Sequence, residues 1–259
     1  MNHAVPRPIH RRSHVRQYCL ALLALSLGAD VAAEGRDHTK IGFGVAARPK
    51  FEGSDRLQAE PIPLLDIRQG RFFVRAGEGI GANLIESPRA TLGVGVSWMQ
   101  GYKASDVPDG IGKLSGALGG RVFVSTRLSG AVVTLSATQA LTKSERGLLV
   151  NARVSYPYQM TERLEIIPSI STNWASEKYL NSYFGVDSDR AMRSGFSVYK
   201  PSAGFKDVSL RLAVRYEFNK SWSIAGGIGV SRLLDKAADS PFVERKIQPS
   251  AAVGLMYTF

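Results

Sequence analysis

Side chains able to act as nucleophiles, general bases or soft metal ligands are scarce in this chain, and the few that exist are badly placed for chemistry. Its four histidines are His3, His10, His14 and His38, and its single cysteine is Cys19. All but His38 fall in residues 1–33, which read as a removable leader. A Ser/His hydrolase needs a histidine held beside its serine by the scaffold, and His38 precedes the first predicted strand. With Cys19 gone, no thiol remains for a disulfide or a thiolate metal site. Glu165 and Glu217 have the right chemistry for acid–base work, but their predicted wall also carries Arg121, Arg153, Arg211 and Arg215, so ion pairing is the simpler account. Asp187 and Asp189 form a lone Asp-x-Asp, far short of a calcium loop. Gly42-x-Gly44, Gly93-x-Gly95 and Gly227-x-Gly229 open no helix, so they are not phosphate loops. They read as small residues that relieve crowding or let a wall bend. No catalytic, cofactor-binding or metal-binding residue is predicted, no cofactor is expected, and the chain is not expected to be an enzyme.

The elements that carry these residues are strands. In the terminal segment, residues 246–259, Ala251, Val253, Leu255, Tyr257 and Phe259 fall on one side of an extended chain. Ala252, Gly254, Met256 and Thr258 fall on the other. Chain ends usually fray, so an aromatic as the last residue suits a strand that closes a barrel. The leader agrees. Arg7, Arg11, Arg12 and Arg16 form a basic region, residues 18–29 an apolar core too short to span a bilayer as a helix, and Val31-Ala32-Ala33 a small-residue exit. Cleavage is expected after Ala33, leaving residues 34–259 as one barrel domain exported unfolded. The formal net charge of +11 raises nucleic acid as a partner, but an exported chain meets none. The expected neighbours are outer-membrane lipid and the phosphates of lipopolysaccharide.

Dyad alternation repeats along the chain. It is clearest where Val208, Leu210, Leu212, Val214, Tyr216 and Phe218 oppose Ser209, Arg211, Ala213, Arg215 and Glu217. An arginine facing lipid near midplane costs roughly 2–4 kcal/mol, so Arg121, Arg153, Glu165, Arg211, Arg215 and Glu217 are predicted to face the lumen. Splitting residues 71–86 into two strands gives an all-β, antiparallel, up-and-down transmembrane barrel of twelve strands. Single-chain bacterial barrels have even strand numbers. Short connections then fall at Gly70, Ser87-Pro88, Ser129-Gly130, residues 158–162 and Asn219-Lys220. The longer ones, including residues 177–200 and 235–245, fall at the other end, with Gly77-Glu78-Gly79 as a short exception there; residues 177–200 read as a solvated loop in which a short deletion should do little. A soluble β-sandwich also alternates, but Trp98, Tyr102, Tyr156, Tyr158, Trp174, Tyr179, Tyr216, Phe218, Trp222, Tyr257 and Phe259 gather toward predicted strand ends, as membrane-interface girdles do. The pattern Val253, Leu255, Tyr257, Phe259 also resembles the signal read by the barrel-assembly machinery, a further expected partner.

Several short blocks carry a family resemblance: Phe51-Glu52-Gly53-Ser54-Asp55, Pro61-Ile62-Pro63, Arg71-Phe72-Phe73, Gly79-Ile80-Gly81-Ala82-Asn83-Leu84, Tyr183-Phe184-Gly185-Val186, and Ser231-Arg232-Leu233-Leu234 with Ser240-Pro241. In this order they resemble the MipA/OmpV family of outer-membrane proteins over essentially the whole mature chain, with Phe51 where the family more often has Tyr. The resemblance implies an integral outer-membrane barrel. Through the family's best-known member it also implies a scaffold joining the lytic transglycosylase MltA to a penicillin-binding murein synthase. Physics alone offers an alternative, a small-solute pore whose arginine-rich lining favours anions.

Overall fold

The computed structural model describes residues 37–259. The expected leader and its cleavage site lie outside the described residues. Thirteen strands form one antiparallel sheet: β1 His38–Pro49, β2 Leu57–Gln69, β3 Phe72–Arg75, β4 Gly79–Glu86, β5 Ala90–Met99, β6 Ala117–Leu128, β7 Ala131–Ala140, β8 Leu148–Ser155, β9 Tyr158–Gln159, β10 Leu164–Ala175, β11 Gly204–Glu217, β12 Trp222–Leu233 and β13 Ile247–Thr258. The two residues of β9 pair with β10 in line with β8, so the walls number twelve. Residues 71–86 do form two strands.

The sheet closes where β13 meets β1, from Lys40↔Thr258 to Ala47↔Ala251. The Phe259 N–H donates to the Thr39 carbonyl at 3.0 Å, one step beyond the ladder. Closure removes both edges, which in hydrocarbon would strand several kcal/mol per unpaired backbone group.

Alternation dictates which face meets lipid. Phe43 and Val45 are 76% and 52% exposed, whereas Ala46 beside them is 0% exposed. On β13, Val253, Leu255 and Phe259 are exposed and Met256 is buried. A water-soluble barrel would reverse this, and a barrel in lipid requires it. The tight connections, including Gly70 with φ +56° and Ser129-Gly130 with both φ values positive, lie at the end where β1 begins and β13 ends. By the usual asymmetry this is the periplasmic end. The chain is an integral transmembrane barrel.

The long connections correct the sequence expectation, because they are folded. Residues 177–200 hold α1 Glu177–Phe184 and α2 Ser188–Ser194, and α3 Asp235–Ala238 follows β12. The Ser176 side chain caps α1, and that of Asp187 caps α2 by accepting from the Arg190 N–H at 2.8 Å. Tyr179, Leu180, Tyr183 and Phe184 share one helical face and are buried, and Tyr102 is buried with them, so Tyr102 and Tyr179 belong to this folded segment and not to an interface girdle. That period spans barely two turns, too short to register against so many strands. β2 begins at Leu57, so Pro61 and Pro63 fall within the strand.

Candidate functional site

The site is the lumen and the cap that closes its outer mouth. Loops from four places supply the cap's apolar core: Phe51 after β1, Tyr102, Val107 and Ile111 after β5, the buried face of α1, and Ala237, Ala238 and Phe242 after β12. Leu180, Phe184, Val186 and Ala237 are 0% exposed. Aromatic rings meet at 4.8 to 6.5 Å, among them Tyr102 edge-on to Tyr183 at 5.2 Å, within the favourable range for such pairs. Polar ties lock the loops together. Tyr102 Oη donates to the Tyr183 carbonyl at 3.2 Å, Ser240 Oγ to that of Phe184 at 2.6 Å, and the Gly53 N–H to Gln248 Oε1 at 3.1 Å. Gly53 has φ +113°, and a Cβ there would come within 2.8 Å of Val243. Only glycine fits that turn.

Charge is buried in the same region. Arg146 is 0% exposed; it donates to the Gln100 carbonyl and lies 5.9 Å from the Tyr179 and Tyr183 ring centres, a cation–π pairing. Lys206, at the start of β11, bonds Asp207 at 2.8 Å and also Glu52 of the first loop. Burial, then the nearby Glu52 carboxylate, pushes the Tyr179 hydroxyl up to about 12 and that of Tyr183 well above its ordinary value. Both rings are neutral at physiological pH.

Beneath the cap lies a cavity of about 250 Å³, with Arg121, Arg153 and Arg211 in its wall. Arg215 bonds Glu165 at 3.1 Å nearer the periplasmic end. Glu217 lies opposite Ser223 at the end of β11 and is solvent exposed. So three of the six predicted lumen charges meet at the cavity, two pair with each other, and Glu217 stands apart at the rim. Val253, Leu255, Tyr257 and Phe259 form one outward row on β13 beside β1 and β12.

Sequence reasoning missed Glu78, Arg75 and Lys206. Glu78 sits at the β3–β4 tip, 3.4 Å from Arg75 and 3.6 Å from Arg121. Arg75 and Arg121 lie over Phe73 and Phe123, whose rings meet at 5.8 Å. Gly81 and Gly93 make room for those rings, since a Cβ on either would lie within 2.5 Å of one. An acid in a tight Gly-Glu-Gly turn flanked by alternating strands was the available signal. Among the described residues no group of three or more His, Cys, Asp or Glu is placed to hold a metal ion.

Blocks that carried the resemblance come together here: Phe51 to Asp55, Tyr183 to Val186 and Ser240-Pro241 all build the cap. Among curated proteins, the "MltA-interacting protein" of Escherichia coli K12 is 29% identical over 251 residues, covering 93% of this chain and 99% of that protein. The "24 kDa outer membrane protein" of Pasteurella multocida is 25% identical over 234 residues, covering 85% and 90%. Of solved structures, the KdgM porin gives a TM-score of 0.45 at 10% identity, covering 85% of this chain and 99% of that one. The family model described as "MltA-interacting protein MipA" matches residues 41–259, and the chain belongs to that family.

Proposed function

We propose that this barrel is a non-catalytic scaffold of the outer membrane that holds a murein lytic transglycosylase of the MltA type, together with a penicillin-binding murein synthase. The observation that carries the reading is the cap. A folded apolar plug with side chains at 0% exposure across the outer mouth is poorly suited to solute passage and well suited to a rigid platform. The name of the Escherichia coli relative, MltA-interacting protein, points to the same partner. Murein enzymes work in the periplasm, so the contact belongs at the end with the tight turns. There Arg71, Arg89, Arg127, Arg163 and Lys220 stand exposed, one beside each short connection, and an acidic patch on the partner would complement them. The basic cavity favours a second reading, an anion pore, but the cap opposes it.

The test is binding of a purified MltA-type transglycosylase to the immobilised barrel. Saturable binding is expected, weakened about tenfold or more by charge reversal at Arg71, Arg127 and Lys220 together. No binding by the wild type would overturn the scaffold reading.

A further inference from the structure

The wall has a window. β2 has 13 residues and its neighbour β3 has 4. Their pairing runs only from Asp66↔Arg75 to Gln69↔Phe72, and one more bond, from the Ala76 N–H to the Leu65 carbonyl at 2.8 Å, ends it. Above that level residues 57–64 pair with β1 alone among the described residues. Across the gap, the pairing of β5 with β4 stops at Ile80↔Val96. β2 and β5 stand three strand spacings apart, roughly 14 Å. Glu78 forms the sill, and Arg56 donating to the Asp106 carbonyl at 3.4 Å links the loops above.

The free edge is adapted to its surroundings. The Leu65 carbonyl points toward β3, so by strand alternation the backbone groups of Pro63, Pro61, Ala59 and Leu57 point into the window. Proline has no N–H, so two donors that hydrocarbon would leave stranded are absent. The same prolines make this edge a poor template for an added strand. Pro61 and Pro63 lie opposite Val45 and Phe43, both exposed on the lipid face, and Val96 and Trp98 are exposed on the other side. The window therefore opens inside the apolar belt, toward the outer leaflet.

Behind it lies the capped cavity, whose wall includes Arg48, Glu78, Gln100 and Arg121 near the window and Arg153 and Arg211 deeper in. Its lining counts six basic side chains and three acidic ones. A lipid-facing entrance that leads to a basic chamber fits a molecule with an apolar tail and an anionic head. We propose that the window admits a single-chain anionic amphiphile from the outer leaflet, its carboxylate or phosphate head among the lumen arginines and its tail between Pro61 and Trp98. This site goes beyond the scaffold reading and does not depend on it.

The probe is a twelve-carbon alkyl phosphate brominated in its chain, titrated into the barrel in nanodiscs of unbrominated phosphatidylcholine. Bromine quenches tryptophan on contact. One variant keeps Trp98 alone (Trp174→Phe, Trp222→Phe), and another keeps Trp222 alone (Trp98→Phe, Trp174→Phe). Saturable quenching of Trp98 is expected, with Trp222, on the far side near β13, unaffected. Arg153→Gln with Arg211→Gln should raise the half-saturation concentration about tenfold or more, the scale of a lost charge-assisted hydrogen bond. The corresponding Lys pair should restore most of it, and heat-modifiable mobility on gels verifies that each variant is folded. Inorganic phosphate should displace the probe only at far higher concentration. Equal quenching of both tryptophans, an identical curve with a brominated alkyltrimethylammonium, or displacement by inorganic phosphate as effective as by the unbrominated amphiphile would each overturn the proposal.

Discussion

Leu212→Arg against Arg211→Leu tests the register of the whole wall with two neighbouring residues. Leu212 lies near the middle of β11, opposite Pro168 on β10 and Ile228 on β12, and is 39% exposed. Arg211 lines the cavity, its stem so close to β12 that a Cβ on Gly229 would lie 3.0 Å from Arg211 Cγ. An arginine at 212 must sit in hydrocarbon near midplane, at roughly 2–4 kcal/mol. Loss of the leucine's apolar surface adds about 1 kcal/mol. Removing the Arg211 charge from a chamber that retains a basic excess should change stability by about 1 kcal/mol or less. The expected gap is therefore at least about 2 kcal/mol, some thirtyfold in the folding equilibrium. Urea-dependent folding into lipid vesicles, scored by heat-modifiable mobility, measures it. Equal or reversed defects would mean that the inward and outward faces are exchanged, the result of a one-residue slip.

Three further outcomes follow from the cap and the seam. Phe184→Ala empties a site that is 0% exposed, and should cost about 3–5 kcal/mol, so protease added outside sealed vesicles should cut residues 185–203 far faster than in the wild type. Unchanged cutting would show that the cap does not depend on that ring. Because the folded-state pKa of Tyr179 is raised to about 12, the ring's contribution to the cap is whole below the unfolded value near 10 and is lost as pH rises through about 12. That window carries on the order of 3 kcal/mol at most, and because the Tyr183 hydroxyl is raised as well, cap protection measured by hydrogen exchange at pH 9 and 11.5 should fall most in the wild type, less in Tyr179→Phe, and least when Tyr179→Phe and Tyr183→Phe are combined. Deleting Phe259 removes its bond to the Thr39 carbonyl and a ring contact with Tyr257 at 4.8 Å. Assembly in a pulse-chase experiment should slow, and undiminished assembly would leave the terminal residue without a part in closure.

The wall was legible because lipid on one face and a polar lumen on the other force strict alternation, and β1, β11 and β13 show it residue by residue. The seam was legible for the same reason, since residues 40–47 and 251–258 alternate in phase in the observed pairing, although a slip of two would keep the same faces and parity alone does not fix the register. The cap was not. Its core joins Phe51, Tyr102, Tyr183, Ala237 and Phe242, which are far apart in sequence and sit in segments rich in Asp, Gly, Ser and Lys that resemble solvated loops. Parity in β11 separates Arg211, Arg215 and Glu217 from Leu210, Leu212 and Tyr216, but parity cannot tell which acid meets which base. Glu165 and Glu217 looked alike, yet one bonds Arg215 and the other stands at the rim. The window was hidden too, because it arises from a mismatch in length between β2 and β3, and strand ends are what a hydrophobic pattern locates least well. Pro61 and Pro63 were the trace it left.

The central claim is that the barrel is closed by its cap and serves as a platform. Conductance of the purified wild-type protein in planar bilayers tests it most directly. The account predicts insertion without a steady open level, because apolar side chains from four loops fill the mouth above a cavity of about 250 Å³. A steady, ohmic, anion-selective current from every inserted barrel would contradict it and make the protein a pore.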